Sequence, residues 1–135
     1  MQTRAFLLVV VALAATAACR LTSAGEKSPD GAIHVDAAGA EPLVQAGKVM
    51  VVDVRTPEEY AEGHIAGAKN VDFLESDFEK QVAALERDKT YLIHCASGSR
   101  SMGALPLFQK LGFTSLYHLD GGFSAWKRAG KPVTK

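Results

Sequence analysis

A nearly uninterrupted run of apolar, β-branched residues constrains the fold more than any other feature of the sequence. Residues 49–54 read VMVVDV, a pattern typical of a strand buried on both faces of a parallel sheet. Thr56 and Pro57 follow at once, and these residue types favour the cap and the first position of a helix. From residue 33 onward, similar apolar runs alternate with segments of helical periodicity. This alternation predicts an α/β fold, with a parallel sheet and helices on both faces.

The alternation predicts about five strands and five helices. The strands are expected at 33–35, 49–54, 68–72, 90–95 and 115–119. The helices are expected at 38–46, 57–62, 77–85, 101–111 and 123–129. The chain has 135 residues and no internal repeat, which is enough for one domain with one hydrophobic core but not for two.

Charge and composition exclude several classes of function. The 15 Lys and Arg residues balance the 15 Asp and Glu residues, so the chain has no net charge that would favour nucleic acid as a partner. Recognition of an anion must therefore be local, through a few side chains and backbone amides. No group of His, Cys and Asp residues has the spacing of metal ligands, so we expect neither a metal nor another cofactor.

The N-terminus has the pattern of an export signal. Arg4 precedes a charge-free apolar segment at 5–18, which is shorter than the roughly 20 residues that a membrane-spanning helix needs. Residues 15–17 (Ala-Thr-Ala) fit ordinary signal cleavage, whereas residues 16–19 resemble a bacterial lipoprotein signal with a lipid anchor at Cys19. We expect a signal segment at 1–19, a polar tether at 20–31 and the folded domain at 32–135. The protein would then be exported to a bacterial periplasm, or anchored to a membrane there.

Cys95 is the second of only two cysteines. If Cys19 is lipidated or removed, Cys95 has no disulfide partner, even in an oxidising compartment. A solitary thiol at the end of a predicted buried strand is therefore a candidate nucleophile.

The segment after Cys95 is suited to stabilising a negative charge. It passes from a strand through a loop of small residues into a helix, and ligand sites in parallel sheets lie at such junctions. Small residues allow the backbone N–H groups to curl around one atom, and a helix N-terminus adds partial positive charge. Lowering a thiol pKa by about two units needs roughly 2.7 kcal/mol, which such a nest can supply. The candidate loop residues are Ala96, Ser97, Gly98, Ser99 and Ser101. Arg100 adds a planar fork that suits a tetrahedral oxyanion such as thiosulfate.

From about residue 33 to 131 the chain resembles a rhodanese homology domain. Residues 52–60 are similar to the family's DVR-x-x-x-E-[YF] segment, and residues 63–68 to its GHI-x-GA segment. Residues 95–101 match the C-x-x-G-x-R-S active loop, and residues 121–126 match the closing GG-x-x-x-W.

The resemblance implies a single-domain sulfurtransferase. Cys95 would form a persulfide, and Arg100 would bind the substrate anion. Sulfane sulfur would pass from a donor such as thiosulfate to a thiophilic acceptor: cyanide, a thiol or another protein. The resemblance also places Arg55 near the pocket rim, either as a substrate ligand or in a structural ion pair with Asp53. We expect a monomer. His94 precedes Cys95 on the strand, so its side chain should point to the opposite face and not act as a base for the thiol.

Two other functions are open at this stage. Cysteine phosphatases and arsenate reductases of the same fold use Cys-x5-Arg, whereas here only four residues separate Cys95 from Arg100. A module that carries or senses sulfur without turnover would share the same motifs.

Overall fold

Five parallel strands form one sheet in the order β1-β5-β4-β2-β3 in this computed structural model, which describes residues 25–135. The strands are β1 (Ala32–Val35), β2 (Met50–Asp53), β3 (Lys69–Asn70), β4 (Tyr91–His94) and β5 (Leu116–Leu119). The predicted five-stranded parallel sheet is confirmed. Strand β4 lies at its centre, between β5 and β2, and Cys95 follows β4 directly.

Within residues 25–135, four helices connect the strands and a fifth follows β5: α1 (Ala37–Gln45), α2 (Pro57–Glu62), α3 (Phe78–Ala83), α4 (Ser99–Lys110) and α5 (Gly122–Arg128). Local capping explains where two of them begin. Asp36 caps α1 by accepting a hydrogen bond from the Gly39 amide at 2.8 Å. Thr56 and Glu59 form a reciprocal capping box at the start of α2, with Pro57 at the first helical position, as the sequence predicted.

The helices cover both faces of the sheet and divide the core into two layers. Phe108 of α4 is buried in one layer, and Trp126 of α5 is buried in the other. Strand β4 alternates between them, because Leu92 faces the Trp126 layer while Ile93 and Cys95 face the Phe108 layer. Cys95 therefore lies against apolar packing on one side and against its own loop on the other.

Observed and predicted elements differ mainly at their ends. Strand β3 has two residues instead of the predicted five, because it is an edge strand that pairs only with β2. Helix α4 begins at Ser99, two residues earlier than predicted. This earlier start places Arg100 within the first turn of α4, close to the nucleophile loop.

The predicted tether is partly packed on the domain. Lys27 pairs with Ile33 in an antiparallel bridge, and its Nζ donates to the Thr114 carbonyl at 2.8 Å. The predicted signal segment 1–19 and Cys19 lie outside the described residues, so export and a lipid anchor stay predictions. None of the helices in residues 25–135 is both long and apolar enough to cross a membrane.

Candidate active site

Cys95 lies at the carboxyl end of the central strand, at the base of a tight loop. The residue is 1% exposed and its thiol is free. The loop ends at Gly98, whose φ of 116° is a left-handed value that L side chains rarely adopt. Helix α4 begins at the next residue, so the thiol lies beside a helix N-terminus, as the sequence predicted.

Polar hydrogens of the loop converge on the Cys95 sulfur. The Gly98 amide donates to Sγ at 3.0 Å, and the Ser101 hydroxyl lies 3.3 Å from it. Burial raises the pKa of the Cys95 thiol, but the Ser101 hydroxyl and the amides of Ser101, Gly98 and Ser97 outweigh it and hold the pKa below its ordinary value. The loop therefore favours the thiolate.

Helix α5 holds the loop in this conformation from outside. The Phe123 amide donates to the Cys95 carbonyl at 2.8 Å, and the Ser124 amide donates to the Ala96 carbonyl at 2.9 Å. Because the C=O and N–H of a trans peptide point in opposite directions, binding the Ala96 carbonyl on the α5 side turns the Ser97 amide towards the sulfur. The start of α5 thus fixes the direction of the loop amides.

Gly122 is required for this contact. Its φ is 60°, and a Cβ at this position would lie 2.6 Å from the Cys95 carbonyl oxygen and 2.7 Å from that of Ala96. Both atoms are backbone and cannot move aside independently of the loop. The second glycine of the Gly-Gly pair therefore allows the two chain segments to approach.

Arg100 is held by an acid from a different helix. Its two terminal nitrogens donate to the two carboxylate oxygens of Glu59 at 2.8 and 2.9 Å, in bidentate geometry. The same carboxylate accepts the Thr56 amide at 3.0 Å in the α2 capping box. The Arg100 guanidinium lowers the pKa of Glu59 to about 2, and Glu59 in turn raises the pKa of Arg100. A permanent positive charge is thereby fixed near the anionic sulfur.

Arg55 makes the ion pair with Asp53 that the sequence allowed as one of its two roles. Its side chain is 5% exposed, and it donates to both carboxylate oxygens of Asp53 at 2.7 to 3.1 Å and to the Gly63 carbonyl at 2.8 Å. The guanidinium also lies 4.0 Å from the centre of the Phe123 ring. These contacts tie the end of β2 to the next turn and to α5, and the substrate contact of Arg55 stays a prediction.

The remaining loop residues contribute unequally. The Gly98 amide and the Ser101 hydroxyl contact the sulfur, and the amides of Ser97 and Ser101 help to lower the pKa of the Cys95 thiol. In the described residues Ala96 and Ser99 make no contact with Sγ, since Ala96 uses its carbonyl to bind α5 and Ser99 begins α4 with an exposed side chain. His94 is buried in the opposite layer, where it stacks on Phe123, so the alternation predicted its direction correctly.

Sequence analysis missed a polar network behind the loop, which runs from buried Ser101 and His118 to the partly exposed His34 and the exposed Asp120. The Ser101 hydroxyl lies 2.7 Å from Nε2 of His118, and Nδ1 of His118 lies 2.8 Å from Oδ1 of Asp120. The same Oδ1 is 2.7 Å from Nδ1 of His34, whose Nε2 is 2.7 Å from Asp30. Each ring nitrogen of His34 and His118 therefore has a polar partner at hydrogen-bond distance, and ordinary hydrogen bonds account for all four contacts. The network forms because β1 and β5 are adjacent and His34 pairs in register with His118.

The family comparison agrees with this fold and site. A match to the rhodanese-like domain family extends over residues 36–129, more than half of the chain. The chain therefore belongs to the rhodanese-like domain family.

Characterised relatives point to one kind of chemistry. The chain is 40% identical to thiosulfate sulfurtransferase GlpE of Pseudomonas paraeruginosa, over 58% of this chain and 69% of that protein. It is 32% identical to GlpE of Vibrio cholerae over 77% of this chain and 96% of the relative. It is 36% identical to thiosulfate sulfurtransferase 16, chloroplastic, of Arabidopsis thaliana, over 70% and 86% of the two chains. These similarities support sulfurtransferase activity of the rhodanese family, as the motifs predicted.

Solved structures show the same fold. A rhodanese-related protein from Thermoplasma volcanium matches with a TM-score of 0.68 at 33% identity, over 75% of this chain and 96% of that one. A Rhodopseudomonas palustris protein of unknown function, described as a possible tyrosine phosphatase, matches with a TM-score of 0.65 at 28% identity, over 75% and 83% of the two chains.

The substitution Gly122→Ala should reduce the stability of the protein and the reactivity of Cys95 by more than backbone strain at this position explains. Gly47→Ala is the matched control, because its φ of 65° is almost the same and its new Cβ would meet no atom within 4 Å beyond its chain neighbours. Strain should cost each variant about 1 kcal/mol, and the backbone clash should cost Gly122→Ala a further 1 to 3 kcal/mol, roughly. Urea unfolding and the Cys95 alkylation rate measure both effects. Equal stability and equal reactivity of the two variants would contradict the contact between α5 and the loop.

Glu59→Gln should destabilise the protein in a pH-dependent manner. The folded-state pKa of Glu59 is lowered from 4.5 to about 2, so its charge contributes stability above pH 4.5, and this contribution is lost as the pH falls towards 2. Glutamine keeps the capping oxygen but loses the ion pair, at a cost of about 1 kcal/mol for a partly exposed bidentate pair. Urea unfolding at pH 7 and pH 3 measures the change. Glu58→Gln, an exposed neighbour in the same helical turn, should change stability little at either pH, and an identical response of the two variants would exclude the ion pair as the cause.

Proposed function

We propose that this protein transfers sulfane sulfur from a donor such as thiosulfate to a thiophilic acceptor through a persulfide on Cys95. The observation that carries the proposal is the convergence of the Ser97, Gly98 and Ser101 donors on one sulfur atom. A thiolate is the nucleophilic form of cysteine, and this loop stabilises that form without any metal or cofactor.

The first half-reaction is attack on the donor. The Cys95 thiolate attacks the outer sulfur of thiosulfate, an S–S bond forms to Sγ, and the S–S bond of the donor breaks with its electron pair leaving on sulfite. The product, Cys–S–S⁻, is again an anion.

The second half-reaction returns the enzyme to its starting state. An acceptor such as cyanide or a thiolate attacks the outer sulfur of the persulfide, and the electron pair of the broken S–S bond stays on Cys95 as a thiolate. Such a two-step exchange is ping-pong catalysis. Because the thiol is only 1% exposed, side chains at the mouth of the loop must shift as donor and acceptor enter.

Arg100 is the ligand proposed for the oxyanion of the donor. Glu59 accepts two of the five N–H donors of its guanidinium, and no other acceptor binds it among the described residues. The other N–H groups are free to bind sulfonate oxygens. Glu59 therefore orients Arg100 without neutralising all of its hydrogen-bonding capacity.

The phosphatase alternative requires a longer loop. Only four residues separate Cys95 from Arg100, one fewer than in the Cys-x5-Arg loops that surround a phosphoryl group. Hydrolysis of p-nitrophenyl phosphate compared with thiosulfate:cyanide sulfur transfer separates the two activities directly. A sulfur carrier without turnover would instead give a stable, stoichiometric persulfide and little thiocyanate.

Cys95→Ser should abolish sulfur loading. Intact-mass spectrometry after thiosulfate treatment should show an added mass of one sulfur atom, mapped to the Cys95 peptide, and the serine variant should lack it because its hydroxyl is not ionised at neutral pH. Cys19→Ser is the control and should load normally. Sulfur that remains bound in Cys95→Ser would refute both the enzyme and the carrier.

Arg100→Ala should weaken donor binding. Losing charge-assisted hydrogen bonds to the sulfonate should raise the KM for thiosulfate roughly tenfold or more, with a smaller effect on kcat. Arg128→Ala, which removes an exposed arginine at the end of α5, should leave KM unchanged. Steady-state thiocyanate formation measures both constants. An unaltered KM in Arg100→Ala would remove Arg100 from the donor site.

A further inference from the structure

A buried line of hydrogen bonds leads from the nucleophile to a histidine that the sulfur-transfer chemistry above does not use. We propose that Ser101, His118 and Asp120 form a proton relay, in which His118 takes the Cys95 thiol proton through the Ser101 hydroxyl. The inference rests on the proposed function. It adds His118 as a positioning residue that sets the charge of the nucleophile, Cys95.

The contacts are continuous and short. Ser101 Oγ lies 3.3 Å from Cys95 Sγ and 2.7 Å from His118 Nε2, so one hydroxyl touches both the thiol and the imidazole. Nδ1 of His118 lies 2.8 Å from Asp120 Oδ1. Ser101 and Cys95 are almost fully buried and His118 is 1% exposed, so solvent does not compete for the two contacts of Ser101, whereas Asp120 at the end of the line is exposed.

The geometry accommodates two proton arrangements without moving a heavy atom. In the first, the thiol donates to Ser101, the Ser101 hydroxyl donates to His118 Nε2, and the Nδ1 proton of His118 is donated to Asp120. In the second, His118 is an imidazolium that donates from Nε2 to Ser101, and the Ser101 hydroxyl donates to the thiolate.

Conversion between the two is a balanced transfer of two protons. The S–H bond of Cys95 breaks as Ser101 Oγ receives that proton, and Ser101 gives its own proton to His118 Nε2. The result is a thiolate and an imidazolium, with no net change of charge in the network. Attack on the donor then proceeds from the thiolate, and the acceptor step regenerates the same thiolate beside the imidazolium.

Charged and titratable groups face His118 from β5, β1 and β4 and from the residues next to these strands. Asp120 follows β5, and its Oδ1 lies 2.8 Å from Nδ1 of His118. His34 of β1 has its ring centre 5.1 Å from that of His118 and shares the same Asp120 oxygen, while Asp30 binds the far side of His34.

His34 therefore competes for Asp120. Partial burial lowers the pKa of His34, but its bonds to Asp120 and Asp30 outweigh this and raise it, so a protonated His34 opposes the charge on His118. His94 of β4 is wholly buried, and desolvation lowers its pKa, so it stays neutral and adds no opposing charge. When Cys95 is ionised, its negative charge is balanced by the His118 imidazolium, and the Ser101 hydroxyl lies between the two.

The first test is the pH dependence of Cys95 alkylation by iodoacetamide, followed by mapping the Cys95 peptide of the full chain by mass spectrometry. The native protein should show two inflections, one for the thiol and one for the imidazolium, because thiolate nucleophilicity rises when His118 loses its proton. His118→Gln keeps an N–H that can reach Ser101 but cannot titrate. It should show one inflection at higher pH and react roughly tenfold more slowly at pH 6, which corresponds to a thiol pKa about one unit higher.

His64→Gln is the matched control. His64 stacks on Tyr60 and its backbone pairs with Thr134, away from the relay, and its loss should leave both inflections in place. A single-inflection profile in the native protein, or an unchanged profile in His118→Gln, would overturn the relay.

A second measurement needs no substitution at His118. Imidazole ¹H–¹⁵N spectra of the native protein at neutral pH should show His118 doubly protonated while Cys95 is reduced, and neutral after Cys95 has been alkylated. The same protonation state before and after alkylation would overturn the proposal even if His118→Gln failed to fold.

The tests separate the relay from the proposed function. At pH 9 the thiol ionises without help, so His118→Gln should still take up one sulfur from thiosulfate there. Native protein that takes up no sulfur at any pH would refute the sulfurtransferase, whereas its alkylation profile would still decide the relay.

Discussion

The site depends on two hydrogen bonds that α5 donates to the nucleophile loop. The amides of Phe123 and Ser124 bind the carbonyls of Cys95 and Ala96, and this fixes which way the loop peptides face. With the carbonyls held outside, the N–H groups inside have one atom to bind, the Cys95 sulfur. Gly122 permits the close approach because any side chain there would collide with both carbonyl oxygens. The charge state of the thiol is therefore set by a helix that is distant in sequence.

The carboxylate of Glu59 makes two kinds of contact, one with Arg100 and one within its own helix. Glu59 closes the capping box of α2 and also presents the Arg100 guanidinium at the mouth of the loop. A donor that binds the remaining N–H groups of Arg100 would share the guanidinium with Glu59, the residue that also caps α2. Binding of the anion and the order of the first turn of α2 are consequently coupled.

Local patterns predicted the fold, and they predicted that Cys95 lies where a buried strand passes through a tight loop into a helix. The run at 49–54 and the alternation after it predicted a parallel sheet, and the small residues after Cys95 predicted inward-facing amides. Contacts between distant segments could not be predicted in the same way. Arg100 and Glu59 are 41 residues apart, and His34 meets His118 only because β1 pairs with β5. Periodicity identifies strands but does not give their order in the sheet, so the network behind Ser101 was not visible in the sequence.

The role of Arg55 stays open at the level of sequence because an arginine at the end of β2 suits an ion pair and an anion site equally well.

The distance in sequence between Cys95 and Gly122 has a consequence for biogenesis. Helix α5 begins 27 residues after Cys95, so a polypeptide that has not yet docked α5 carries a thiol without these contacts. Such a thiol would have the low reactivity of an ordinary cysteine, most of which is protonated at neutral pH. The reactivity of Cys95 would therefore develop only when α5 has packed against the loop.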